Sequence, residues 1–257
     1  MSDSLQILPD EKLEEINENL RLISKKDGLT FGTDAYLLAS YVTPTPSARA
    51  VDLGSGTGIL PMLLVARKKA SFVTAVEVQE EFASLIGRNA ALNDMSDKIT
   101  PLLADVRDLP NSDLPSEGAD LVLSNPPYMK ADSGKANRCA AKFIARHEVC
   151  GNIDDFCRAA SSLVKYGGKF YCVYRPDRLA DLFAALRAHK LEPKRITPVA
   201  ATPAAAPSMV LVEAKKGASP SLVLTKTLFL YETDGKTQSA DAARIYETCS
   251  FEDFLKH

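Results

Sequence analysis

Asn125-Pro126-Pro127-Tyr128 directly follows the apolar run Leu121-Val122-Leu123 and Ser124. Two prolines after a strand stiffen a loop, but stiffness alone does not call for Asn followed by an aromatic. A planar exocyclic amine is a poor nucleophile because its lone pair is delocalised into the ring. If the Asn125 side-chain oxygen and the Pro126 carbonyl each accept one N–H, the nitrogen is drawn toward tetrahedral geometry and can attack an alkyl donor. This is orientation and electrostatic preorganisation rather than general-base catalysis. Tyr128 would stack on a splayed base, as base-modifying enzymes require. Asn125, Pro126 and Tyr128 are therefore the candidate catalytic residues.

A donor site is expected at Asp52-Leu53-Gly54-Ser55-Gly56-Thr57-Gly58. The run lies where a short strand hands over to a helix, the place where open α/β sheets bind nucleotides. Its glycines let backbone approach a ligand closely. A dinucleotide fingerprint would need glycine at position 59, which is Ile59, so a pyrophosphate ligand is disfavoured. Glu77, nineteen residues past Gly58, is spaced to hold ribose hydroxyls. Asp105 could accept from the amine of an adenine. A ligand with adenine, ribose and no phosphate suits this set, and S-adenosylmethionine is the common one, its amino-acid end against the glycines.

The elements that must position these residues follow from periodicity. Residues 10–24 read as a charged helix and 29–42 as an apolar helix stopped by Pro44 and Pro46. Strands are expected at 48–53, 72–78, 99–104, 121–124, 169–174, 195–199 and 209–214, with helices at 57–69, 79–93, from Asn152 to a stop at Gly167-Gly168, and at 178–189. Strands alternating with helices predict an α/β fold with parallel pairing and helices on both sheet faces.

The sequence resembles the class I methyltransferases of the N-P-P-Y type, and more narrowly the bacterial enzymes that methylate N6 of adenosine 37 in a valine tRNA. The resemblance runs from about Leu22 to Tyr246. It rests on Phe31-Gly32-Thr33-Asp34 with Leu37-Leu38-Ala39, the glycine run, Val76-Glu77-Val78-Gln79, Arg88-Asn89 with Leu92-Asn93, and Asn125 to Tyr128. Ala145-Arg146-His147-Glu148, Tyr174-Arg175-Pro176 with Arg178-Leu179, and Met209 to Glu213 complete it. It implies a Rossmann-like fold with one mostly parallel seven-stranded sheet and an antiparallel last strand. It also implies cofactor contacts from Phe31, Thr33, Val78 and Val106, and RNA-facing positions at Ser24 and in the loop Ala204-Ala205-Ala206-Pro207. N-P-P-Y also serves enzymes that methylate a glutamine side chain in release factors or guanine N2 in rRNA. The first carry a larger helical amino-terminal domain and usually P-R-x-E-T-E, neither of which is seen here.

Charge is unevenly placed along the 257 residues, whose net charge is −2. Residues 165–216 carry ten bases against four acids, and 130–146 five against one. Lys130, Lys135, Arg138, Arg146, Arg175, Arg178, Lys194 and Arg195 are the candidates to hold the phosphates of a tRNA. Five cysteines without a C-x-x-C pair predict incidental thiols and no metal site. The acidic first twenty residues are unlike a secretory signal, and no apolar run approaches a membrane span, so a cytoplasmic protein is expected. A substrate-facing cap at 1–46, a methyltransferase core at 47–216 and an extension at 217–257 are the expected divisions.

Overall fold

The computed structural model describes residues 7–17, 19–26, 32–111, 118–126 and 151–256. A hairpin, β1 (Glu11–Asn17) and β2 (Leu20–Lys25), precedes helix α1 (Thr33–Tyr41). Then come β3 (Arg49–Leu53), α2 (Ile59–Ala66), β4 (Phe72–Glu77), α3 (Glu80–Leu92), β5 (Ile99–Leu103) and β6 (Ala119–Ser124). After them lie α4 (Ile153–Leu163), β7 (Val164–Tyr174), α5 (Leu179–Ala188), β8 (Leu191–Ala200) and β9 (Met209–Lys216). Two-residue strands β10 (Val223–Leu224) and β11 (Leu228–Phe229) precede α6 (Ala240–Thr248) and α7 (Glu252–Leu255).

Among the described residues the main sheet has the order β10-β8-β9-β7-β6-β3-β4-β5, with β11 also on β8. Only β9 runs against its neighbours, β7 and β8. The seven longer strands are those expected, and β10 and β11 extend the edge. Alternating side chains divide the core between the sheet faces. Leu121 and Leu123 face α1, α2 and the carboxyl-terminal helices, whereas Val122 faces Phe156, Cys157 and Leu182 of α4 and α5. Pro61 is accommodated because it lies in the first turn of α2, where its missing N–H has no intrahelical partner.

Two expectations are corrected. Residues 10–24 are not a helix. Asn17 Oδ1 accepts from the Asn19 N–H at 3.0 Å and turns the chain, and Leu20 and Leu22 alternate inward with period two. The hairpin is fastened to α3 by side chains that imitate strand pairing. Asn89 accepts from Ile23 N at 2.7 Å and donates to Ile23 O at 2.9 Å, and Asn93 does the same to Arg21 at 2.9 and 2.7 Å. Arg88 closes the clamp on Glu11 through bonds of 2.7 and 2.8 Å, and its guanidinium pulls the Glu11 carboxyl down to about 2.

Gly167-Gly168 does not stop α4. That helix ends at Leu163, and the pair sits inside β7 at an irregularity in its register with β6, Gly167 having φ +75°. The segments outside 47–216 pack against the core. Leu22, Leu37, Leu38, Ala242, Ile245 and Phe251 share one buried cluster with the sheet. Lys69 joins α1 to it. Its ammonium, in a side chain only 2% exposed, donates to Ala39 O, Ser40 O and Val42 O at 2.7–2.9 Å and satisfies the carboxyl end of the helix.

Candidate active site

The glycine run is built as a loop bent back across β4. Gly54 N and Ser55 N donate to Val76 O at 3.0 and 2.9 Å. Gly58, with φ +84°, starts α2, and a β-carbon there would lie 3.2 Å from Ile86. Gly56, with φ +55°, has nothing among the described residues within 4 Å of where its β-carbon would stand, so its backbone is open to an approaching ligand.

Glu77 ends β4 and ties the loop down. Its Oε2 accepts from Gly56 N and its Oε1 from Gln79 N, both at 2.9 Å. Asn89 holds the next turn, donating to Thr57 O at 3.0 Å. Beneath the loop Asp52 is fully buried, with one oxygen bonded to the Ser55 hydroxyl. Among the described residues its Oδ1 has no hydrogen-bond partner. Burial pushes the Asp52 carboxyl up to about 7, opposed by the Ser55 bond and assisted by the charge of Glu77.

Neighbouring strand ends meet this loop. Ala104 N donates to Glu77 O at 3.0 Å, which brings Asp105 beside Glu77. The Asp105 carboxylate is taken up by Arg107, with bonds of 2.5–3.0 Å that lower its pKa. Val106 is buried in the core and Val78 is half-buried. On the other side Leu53 of β3 is level with Ser124 of β6, whose hydroxyl bonds to Leu53 O at 3.0 Å. Asn125 thus emerges from the sheet edge next to Gly54. Its side-chain Nδ2 donates to Asp34 Oδ2 at 3.0 Å, and Pro126 is buried behind it. Thr33 is exposed at the start of α1. Phe31 and Tyr128 lie outside the described residues.

The basic candidates divide by place. Arg175, half-buried, and Arg178, exposed, follow β7 at the same sheet edge as Asn125 and pair with Asp177 and Asp181 at 2.5 Å. Such surface pairs contribute little and yield to a phosphate. Lys194 and Arg195 do not join them. Arg195 is level with Tyr171 in the middle of the sheet, where it stacks on Tyr41 at 4.5 Å and bonds to Glu213 at 2.6 Å. Lys194, at a register irregularity on β8, bonds to Ser219 O at 2.9 Å. Lys130, Lys135, Arg138 and Arg146 lie outside the described residues. Ser24, expected to face RNA, is buried and bonds to Glu14 across the hairpin at 2.5 Å. Ala204, Ala206 and Pro207 are exposed.

The family model described as methyltransferase small domain matches residues 24–179. The chain belongs to this family. It is 29% identical over 187 residues to a protein of Porphyromonas gingivalis named tRNA1(Val) (adenine(37)-N6)-methyltransferase, covering 71% of this chain and 72% of that one. A protein of the same name from Dyadobacter fermentans is 25% identical over 208 residues, covering 80% and 83%. Among solved structures, one described as a predicted O-methyltransferase from Agrobacterium tumefaciens superposes with a TM-score of 0.69 at 28% identity, covering 85% of this chain and 97% of that one.

Within this methyltransferase fold, three groups of site residues escape a reading of local sequence. Asp34 meets Asn125 across 91 positions of chain, and only the Phe31-Gly32-Thr33-Asp34 pattern hints at it. Asn89 and Asn93 belong to the pattern that carries the resemblance but show no role in local sequence, yet both hold the hairpin and Asn89 also holds the glycine loop. The last helices brace α1, with Tyr36 donating to Tyr246 O at 2.6 Å and the two rings 5.1 Å apart.

Proposed function

We propose that this methyltransferase transfers the methyl group of S-adenosylmethionine to N6 of an adenosine in tRNA, at position 37 beside the anticodon of a valine tRNA. The residues suit that cofactor. Glu77 Oε2 accepts one backbone N–H, from Gly56, and retains a lone pair for a ribose hydroxyl, while Oε1 accepts from Gln79 N and, at 3.5 Å, from the Gln79 side-chain amide. The backbone at Gly56 is open, and the unpartnered buried Oδ1 of Asp52 lies beneath the same loop. When bound, S-adenosylmethionine supplies an electrophilic sulfonium methyl.

The observation that carries the reading is Asn125 emerging at the sheet edge beside the glycine loop, joined through Ser124 and Leu53. The Asn125 and Pro126 carbonyl oxygens accept the two N–H groups of the target amine, turning its lone pair toward the methyl group. Tyr128 stacks on the base, and Arg175 and Arg178 with the bases at 130–146 hold the flanking phosphates. The names of the relatives support adenosine 37 as the target.

Position is tested with a valine tRNA transcript and the same transcript carrying guanosine at the target. Mass mapping of ribonuclease fragments is expected to find the methyl group on the anticodon-arm fragment of the first alone. Equal methylation of both transcripts would refute the assignment of position.

A further inference from the structure

We propose that Asp34 is a positioning residue that fixes which end of the Asn125 amide meets the substrate, and that glycine stands at position 32 to let it do so. The inference rests on the reading that Asn125 accepts the target amine. An asparagine amide has two faces of similar shape and opposite hydrogen-bonding sense, and a half-turn exchanges them. With its oxygen toward the substrate it receives an N–H. With its NH2 toward the substrate, two donors oppose each other and the amine is left planar.

An ionised carboxylate can only accept, so a partner carboxylate selects the orientation. Asp34 Oδ2 lies 3.0 Å from Asn125 Nδ2, which places the NH2 group on the Asp34 side and the oxygen away from it. Asp34 is itself held. Its Oδ1 accepts from Ala35 N at 2.9 Å, and α1 is braced through Tyr36 and Tyr246.

Gly32 has φ −101°, a conformation open to any residue, so backbone freedom does not explain it. Space does, because a β-carbon there would lie 2.4 Å from Asp34 Oδ1 and 3.3 Å from its Cγ. The carboxylate could occupy its observed place beside Asn125 only if position 32 has no side chain. One three-residue pattern thus supplies both the acceptor and the room for it.

The test compares Asp34→Ala, Asp34→Asn and Gly32→Ala with the wild type, measuring kcat at saturating tRNA and the affinities for S-adenosylmethionine and tRNA. Asp34→Ala is expected to lower kcat by about tenfold to a hundredfold with both affinities unchanged. Asp34→Asn, which accepts or donates, should fall between. Gly32→Ala removes no polar group and displaces only the Asp34 carboxylate at the end of a flexible side chain, so it should fold normally and reproduce the loss. In an Asn125→Ala background Asp34→Ala should cost nothing further, since its action passes through that amide.

Weakened S-adenosylmethionine binding in step with the kcat loss would overturn the proposal and assign Asp34 to the cofactor. So would wild-type kcat in Asp34→Ala, or a full additional loss in the Asn125→Ala background. If the wild type methylates a planar amine other than adenosine, the proposed function fails while the same comparison on that acceptor still decides the role of Asp34.

Discussion

Glu77→Gln changes one oxygen to NH2 while keeping the shape of the side chain. The carboxylate is 5% exposed and accepts two backbone N–H groups, from Gly56 and Gln79, each at 2.9 Å. A glutamine can accept at only one of those places, so the other N–H faces a donor in a nearly dry site. Its NH2 group also cannot accept from a ribose hydroxyl, and the loss of that one hydrogen bond to a charged acceptor costs about 1.5–3 kcal/mol, or roughly tenfold to a hundredfold in affinity. Titration calorimetry of the folded variant with S-adenosylmethionine should show that weakening. The substitution also removes a negative charge that helps burial hold the Asp52 carboxyl up at about 7. Carbon-13 titration of Asp52 should therefore move downward in the variant. Unchanged affinity in a folded Glu77→Gln protein would refute the placement of the cofactor on this carboxylate, and an unmoved Asp52 would refute the coupling beneath the loop.

Other residues give separate tests. Asp52 titrates near 7 in the fold against an ordinary 3.8, so the folded chain holds a proton that the unfolded chain has lost, and stability falls as pH rises between those values. Three units amount to about 4 kcal/mol; the Tm of ligand-free Asp52→Asn should climb relative to wild type across that window, and parallel curves would contradict this. Lys69→Met strips the donor from three carbonyls at the end of α1. A cost of about 3–5 kcal/mol follows from leaving buried partners unpaired, or roughly 6–20 °C in Tm, and a change within 2 °C of zero, roughly the shift for a single kcal/mol, would sink that reading. Arg175→Ala and Arg178→Ala should each reduce the slope of log tRNA affinity against log salt by about 0.7–0.9. Arg195→Ala should leave that slope alone and lower Tm, and the opposite pattern would return Arg195 to the RNA surface.

The parallel core was legible because its signals are local. Short, nearly continuous apolar strands such as Ala119–Ser124, glycines at a strand-to-helix corner, and an Asn152 cap that accepts from Asp154 N and Asp155 N all act within a few residues. The amino-terminal hairpin was misread because Glu and Lys favour helix in isolation, while what holds β2 is two asparagines on α3, about 70 positions away. Charge counting placed Arg195 with the surface bases, yet Tyr41 and Glu213 enclose it, which composition cannot reveal. The spacing of Glu77 from the glycine loop pointed to a neighbour of that loop, and its carboxylate accepts from Gly56 N there. The role of Asp34 was hidden because its partner Asn125 is brought to it only by the crossover of the chain.

The most direct test of the account is the identity of the methylated group. The purified protein is incubated with methyl-labelled S-adenosylmethionine and bulk tRNA lacking the modification, with Asn125→Ala alongside, and the tRNA is digested to nucleosides. Label in N6-methyladenosine is expected for the wild type, with a loss of orders of magnitude for Asn125→Ala, whose affinity for S-adenosylmethionine stays near normal. Label in N2-methylguanosine, transfer only to a protein glutamine, or equal turnover by the two proteins would contradict it.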